Sequence, residues 1–154
     1  MNEPESAPKR IGENEFKKKV ITKILSGSNH SMILCGERVY VSGDPDTGVL
    51  GRKPLTRRKF AQGQKLEAMQ ARKVKDIYTG GNHAFFKILQ RDKDTKKEHT
   101  CYYGWGLNNW GQLGIGTINT SHQPIEISSL RNLNIKDIKG GEFHTLFLTE
   151  EGRL

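Results

Sequence analysis

Residues 73–88 read KVKDIYTGGNHAFFKI, and this stretch occurs twice more in altered form. The other two copies are VITKILSGSNHSMIL at residues 20–34 and NIKDIKGGEFHTLFL at residues 134–148. Each copy carries two aliphatic residues, then a glycine, then a histidine, at the same spacing. The glycines are Gly27, Gly80 and Gly141, and the histidines are His30, His83 and His144. Self-similarity of this kind predicts an array of equivalent supersecondary units.

A second repeated stretch lies downstream of the first two histidines. VYVSGDPDTGVLG at residues 39–51 matches YYGWGLNNWGQLG at residues 102–114. The later copy contains Gly106, Gly111 and Gly114, which match glycines of the earlier copy and predict tight turns at positive φ. Trp105 and Trp110 are expected to fill space between adjacent sheets. The polar run 90–99 (QRDKDTKKEH) is expected to lengthen a turn in the second unit.

The secondary structure predicted from these patterns is entirely β. Short apolar runs of four to six residues alternate with turn-rich segments such as GSN and GDPDTG. Strand-only units that repeat every 50 to 60 residues or so indicate small antiparallel sheets arranged around an axis, which is a β-propeller. Residues 1–19 are expected to form a charged, flexible lead-in, and residues 20–154 an incomplete propeller.

Composition excludes several classes of protein. Of the 154 residues, 34% are hydrophobic and 27% are charged, a lean but not disordered composition. No window contains 18 consecutive apolar residues, so no transmembrane helix is expected, and the first residues lack the apolar core of a secretory signal. The two cysteines, Cys35 and Cys101, have no metal-binding or redox spacing, which favours a reduced intracellular compartment.

Positive charge is concentrated in one segment. The formal net charge is +8, and residues 52–75 hold nine basic residues against one acid, which equals the excess of the whole chain. Such a segment suggests a polyanion as partner, with salt-sensitive affinity and no sequence readout. A solvated loop is the competing interpretation, since charge runs are usually solvated. The candidate polyanion-binding residues are Arg57, Arg58, Lys59, Arg72, Lys73 and Lys75.

The motifs G-x-x-H-[ST] and W-G-x-N-x-x-G-Q-L-G, read here in GGEFHT and WGLNNWGQLG, resemble the repeat of the regulator of chromosome condensation family. The resemblance covers residues 20–154 and is greatest to blades four and five of the family's Ran exchange factor. It implies a seven-bladed propeller, of which about two and a half blades are present. It also implies a nuclear, chromatin-bound factor that exchanges guanine nucleotide on a Ran-like small GTPase.

The resemblance implies site residues as well. The positions just before the repeat histidines lie on the GTPase-facing side of the family, which here selects Asn29, Asn82 and Phe143. Arg52 follows Gly51 as the family's GTPase-contacting arginine does, and the basic segment lies near the loop by which the family grips the histone acidic patch. Asn29 replaces an acid of the family, so an electrostatic role there is weakened. A turn asparagine and a solvated arginine are the competing interpretations.

The repeat histidines and glycines are predicted to be structural. Ring nitrogens at one register per unit tie strands together by buried hydrogen bonds, whereas a metal site needs ligands that converge on one point. No catalytic residue, metal or cofactor is therefore expected. The expected partners likewise include neither a membrane nor a small-molecule substrate. This chain by itself is expected to lack exchange activity. The alternatives are a non-catalytic propeller scaffold of a ubiquitin ligase or adaptor, with a cytoplasmic location, and a nucleosome tether.

Overall fold

The computed structural model describes residues 16, 18–44, 46–51, 64–65 and 73–154. These residues form ten strands and one short 3-10 helix, Ser128–Leu130. In chain order the strands are β1 (Ile21–Ser26), β2 (His30–Cys35), β3 (Arg38–Gly43), β4 (Gln64–Lys65), β5 (Val74–Thr79), β6 (His83–Arg91), β7 (Glu98–Gly106), β8 (Ser121–Glu126), β9 (Ile135–Gly140) and β10 (Thr145–Thr149). No helix in these ranges is long and apolar enough to cross a membrane.

The strands form three antiparallel sheets that follow the repeats. The first sheet, blade one, has the order β1-β2-β3-β4, and the second, blade two, has the order β5-β6-β7-β8. The third unit pairs β9 with β10. The first strand of each sheet contacts the first strand of the next, β1 with β5 and β5 with β9. This arrangement of meandering sheets, side by side through their first strands, is that of propeller blades.

Hydrophobic clusters fill both spaces between the sheets. Phe86, Tyr103 and Trp105 of blade two pack toward blade one, and Phe86 stacks on Tyr103 with ring centroids 5.0 Å apart. Phe85 and Tyr102, one residue earlier on the same strands, pack toward the third unit. Because successive side chains of a strand point to opposite faces, a blade held between two neighbours needs apolar residues at every position. This explains the continuous apolar run CYYGW of β7 and the run AFFKIL of β6, which only Lys87 interrupts.

The repeated aliphatic pair lies at these boundaries. Val74 and Ile77 of blade two are 1% and 0% exposed, and the corresponding pair of the third unit, Ile135 and Ile138, is also buried. The pair of blade one, Ile21 and Ile24, is 44% and 71% exposed. The pair is therefore buried wherever another sheet precedes it.

The two tryptophans differ in environment. Trp105 is fully buried between blades one and two, and its indole N–H donates to the carbonyl oxygen of Val49 at 2.7 Å. Trp110 was also predicted to fill space between sheets, and that prediction is wrong, because its side chain is 72% exposed. Trp110 lies in the loop after β7, where the chain has left the sheet and turns through Gly111 at a φ of +77°. It therefore has no neighbouring strand to cover it.

Candidate functional site

The turns that carry the repeated glycines lie together at one end of the sheets. The main-chain N–H of Ser28 donates to Gly81 at 2.8 Å, and that of Gly81 donates to Gly141 at 2.9 Å. The loops after β3 and β7 reach the same end, since Asp44 donates to Asn29 and Leu107 donates to Asn82. We call this surface the turn face and define it by residues 27–29, 43–44, 46–51, 80–82, 106–114 and 141–143.

Close approach of the backbones requires glycine at the first turn position. A Cβ atom on Gly80 would lie 2.6 Å from the carbonyl oxygen of Gly141 and would overlap the ring of His83. A Cβ on Gly27 would lie 2.7 Å from the carbonyl oxygen of Gly80 and would overlap His30. Only glycine leaves room for the next turn and for the histidine ring together. The loop after β7 uses glycine differently, because Gly106, Gly111 and Gly114 all have positive φ.

Buried histidines join each sheet to the next. Nε2 of His30 lies 2.7 Å from Oγ1 of Thr79, and Nε2 of His83 lies 2.9 Å from Oγ1 of Thr145. Thr145 donates its hydroxyl hydrogen to the carbonyl oxygen of Gln112 at 2.7 Å, and Thr79 lies 3.1 Å from the carbonyl oxygens of Gly80 and His83. A hydroxyl has only one hydrogen, so each Nε2–H must be the donor to its threonine.

His30 and His83 are consequently held neutral. Burial lowers the pKa of His30 to about 4. The pKa of His83 is also lowered to about 4, mainly by burial and to a smaller extent by the nearby imidazoles of His30 and His144. Nδ1 of both rings is buried without a hydrogen-bond partner, so a second ring proton would have no acceptor. His144 of the third unit is exposed. Within the described ranges no group of three His, Cys, Asp or Glu side chains is arranged to hold a metal ion.

The structure places three of the four predicted GTPase-facing residues on the turn face. Asn29 is exposed, Asn82 is half-buried with its Oδ1 lacking a hydrogen-bond partner, and Phe143 is 48% exposed. They occupy the same turn position in consecutive units, so they form one row across the face. Arg52 lies outside the described residues.

Two of the six predicted polyanion-binding residues, Lys73 and Lys75, are described, and they lie away from the turn face. Lys73 precedes β5 and Lys75 is its second residue, whereas β5 reaches the turn face only at Thr79. Both lysines are exposed, and Lys75 forms an ion pair with Glu37 of blade one at 2.7 Å. They therefore lie toward the end of the sheets opposite the turn face. Arg57, Arg58, Lys59 and Arg72 lie outside the described residues.

One residue that organises the turn face was missed in the sequence. Asn108 is fully buried, its amide group donates to the carbonyl oxygens of Thr117 and Asn119, and its Oδ1 accepts from the N–H of Leu113 at 2.9 Å. These bonds close the loop after β7 around one side chain. The asparagine of W-G-x-N was the available signal, because asparagine pairs well with main-chain groups in turns.

Comparison with known proteins identifies the repeat. Residues 101–148 match the family model of the regulator of chromosome condensation (RCC1) repeat. The chain is 32% identical over 142 residues to Protein pim1 of Schizosaccharomyces pombe and 30% identical over 133 residues to the probable E3 ubiquitin-protein ligase HERC4 of Homo sapiens. These alignments cover 87% and 86% of this chain, but only 24% of pim1 and 12% of HERC4.

Solved structures share the fold. Prp20p from Saccharomyces cerevisiae superimposes with a TM-score of 0.70 at 28% identity, over 90% of this chain and 32% of that chain. Human WBSCR16 superimposes with a TM-score of 0.67 at 18% identity, over 87% of this chain and 32% of that chain, a likeness of fold alone. The predicted all-β partial propeller is confirmed by these matches together with the antiparallel sheets. The chain therefore contains an RCC1 repeat, at residues 101–148.

Proposed function

We propose that this chain is part of a guanine-nucleotide exchange factor that acts on a Ran-type small GTPase through the turn face. The observation that carries the proposal is the row formed by Asn29, Asn82 and Phe143, one residue per unit, on a continuous surface. The resemblance to Prp20p supports it, since that structure is described together with binding properties to Gsp1p and histones. The site is one of protein binding and has no part in covalent chemistry.

The proposed mechanism is differential binding. An exchange factor accelerates nucleotide release when it binds the nucleotide-free GTPase more tightly than the nucleotide-bound form. A preformed surface favours tight binding of the one form of the GTPase that it matches, because little ordering entropy is lost on binding. The glycine turns and the buried His30–Thr79 and His83–Thr145 bonds hold consecutive units in fixed register. The turn face therefore acts as a rigid template for one conformation of the partner.

Nucleotide release tests the proposal. Ran loaded with a fluorescent guanine nucleotide is mixed with increasing amounts of the full-length protein in excess unlabelled nucleotide, and the fluorescence decay is followed. We expect the decay rate to rise and then saturate. Arg52→Ala is expected to weaken engagement of the GTPase, with Lys53→Ala as a neighbouring basic control. Absence of acceleration at saturating protein would contradict the exchange function, and unchanged kinetics in Arg52→Ala would remove Arg52 as a contact.

A chromatin contact is the second part of the proposal. The basic segment 52–75 would bind nucleosomes, with Arg57, Arg58, Lys59, Arg72, Lys73 and Lys75 as contacts and the nucleus as location. Lys73 and Lys75 support this, because they are exposed toward the end opposite the turn face and leave that face available to the GTPase. Reversal of Arg57, Arg58 and Lys59 to glutamate should reduce nucleosome binding and its salt dependence. Binding that survives the reversal would rule the segment out.

A scaffold without exchange activity is the other candidate function. The observation that favours it is the 30% identity to HERC4, which extends over 86% of this chain. In that case the turn face would bind a protein partner in a ligase or adaptor assembly, and the location would be cytoplasmic. The nucleotide-release assay separates the two functions, because a scaffold leaves the rate of release unchanged.

A further inference from the structure

We infer that Trp110 and Phe143 form an aromatic docking point for a basic side chain, an arginine in particular, of the partner that binds the turn face. The inference rests on the proposed function, in which that partner is a small GTPase. It adds a residue, Trp110, and a chemical class of contact to the row of positions described above. The argument depends on the exposure, the rigidity and the charge of this part of the surface.

The two rings are exposed and in contact. Trp110 of the loop after β7 is 72% exposed and Phe143 of the β9–β10 turn is 48% exposed, with ring centroids 6.0 Å apart at an interplanar angle of 55°. The pair bridges blade two and the third unit. At the preceding boundary the same two positions hold Thr47 and Asn82. The aromatic pair is thus a feature of this boundary and is not required by the repeat itself.

The loop that presents Trp110 is held in one conformation. The main-chain N–H of Trp110 donates to Oε1 of Gln112 at 3.0 Å, and the carbonyl oxygen of Gln112 accepts the hydroxyl of Thr145. Asn108 closes the same loop from inside through its three hydrogen bonds. A large aromatic side chain on a fixed main chain has only its own torsions to restrict on binding, and such side chains are typical of residues that dominate interface energetics.

The charge of the turn face selects a cation. Among the residues that the structure describes, the face contains three carboxylates, those of Asp44, Asp46 and Glu142, and no lysine or arginine. Glu142 is exposed and directly precedes Phe143. An indole face attracts a cation through its quadrupole, and a neighbouring carboxylate adds an ion pair. Arginine satisfies both, because its planar guanidinium stacks on a ring while its N–H groups reach a carboxylate.

Affinity for nucleotide-free Ran tests the inference. Fluorescence anisotropy measures the dissociation constant of the full-length protein and of Trp110→Ala, Trp110→Leu, Trp110→Tyr, Phe143→Ala and Glu142→Gln. We expect about tenfold weaker binding for the two alanine variants and for Trp110→Leu, which keeps apolar area but lacks a π face. Trp110→Tyr should stay within about threefold of the parent protein, and Glu142→Gln should weaken binding about threefold at low salt only.

Ile118→Ala is the matched control, because Ile118 is a 66% exposed apolar residue that follows the same loop and is outside the aromatic pair. Its affinity should equal that of the parent. The inference is overturned if Trp110→Ala or Trp110→Leu binds as the parent does, and the exchange function then still stands. It is also overturned if sedimentation shows a dimer that Trp110→Ala dissociates, since a second copy would then cover the pair. Failure of the parent protein itself to bind Ran would end the proposed function and this inference together.

Discussion

The hydroxyl groups that accept from the two buried histidines come from different positions of their units. Thr79, the residue before Gly80, accepts from His30, whereas the matching position in the third unit is Gly140. There the hydroxyl is supplied by Thr145, at the position where blade two has Ala84. Blade two and the third unit therefore each offer one hydroxyl to the preceding histidine, from a different position.

Thr79→Val tests the energetic weight of this bond. Valine has nearly the shape of threonine but no hydroxyl, so Nε2–H of His30 would lose its acceptor in a buried site. We expect a loss of about 1–3 kcal/mol in the free energy of unfolding, measured by urea denaturation of the purified chain. Thr79→Ser retains the hydroxyl and is the control, with a smaller loss. Equal losses in the two variants would show that the methyl group matters more than the hydrogen bond.

At the scale of elements, the β6–β7 hairpin departs from the repeat by its polar run, residues 90–99. Its strands continue past the hydrophobic core through the pairs Gln90↔His99 and Arg91↔Glu98. Asp92 closes the turn, and hydrogen bonds from the N–H and hydroxyl of Thr95 and from the N–H of Asp94 lower the pKa of this carboxyl. The polar run of ten residues thus forms an ordered extension, pointing away from the turn face, outside both hydrophobic clusters.

Removal of the extension should be tolerated. Leu89 and Thr100 are directly paired, so residues 90–99 are replaceable by Asn-Gly, a favoured two-residue hairpin turn. We expect the free energy of unfolding to change by less than about 1 kcal/mol, because most of the removed side chains are exposed and the loop becomes shorter. Urea denaturation, with far-ultraviolet circular dichroism to verify the sheets, measures the change. A loss of several kcal/mol would mean that the hairpin supports the blade.

At the scale of the whole molecule, the inter-blade histidines couple stability to pH. Their pKa falls from 6.5 to about 4 on folding, so between these values the unfolded chain binds more protons than the folded chain. The contribution of these two histidines to the free energy of unfolding is therefore greatest above pH 6.5 and is lost as pH is lowered toward 4. Each fully buried ring is expected to account for about 3 kcal/mol of this loss at pH 4.

Urea denaturation at intervals between pH 4 and pH 7.5 measures this dependence. A His30→Gln, His83→Gln double variant is the control, because glutamine keeps an N–H donor for each threonine and does not titrate. Its stability should change less with pH over the same interval, and the carboxylates that remain account for the residual slope. Identical pH profiles for the parent and the double variant would show that the histidines do not carry the effect.

Local patterns in the sequence were sufficient for the repeated units and for the first three strands of each blade, because periodicity and glycine turns depend on neighbours within a few residues. Trp105 is buried between two sheets, as its place in the repeated stretch predicts. The turn face, the choice between Thr79 and Thr145 and the exposure of Trp110 were decided by the tertiary structure. Each depends on how far one sheet lies from the next and on which side chain extends across that gap, and residues distant in the chain set both quantities.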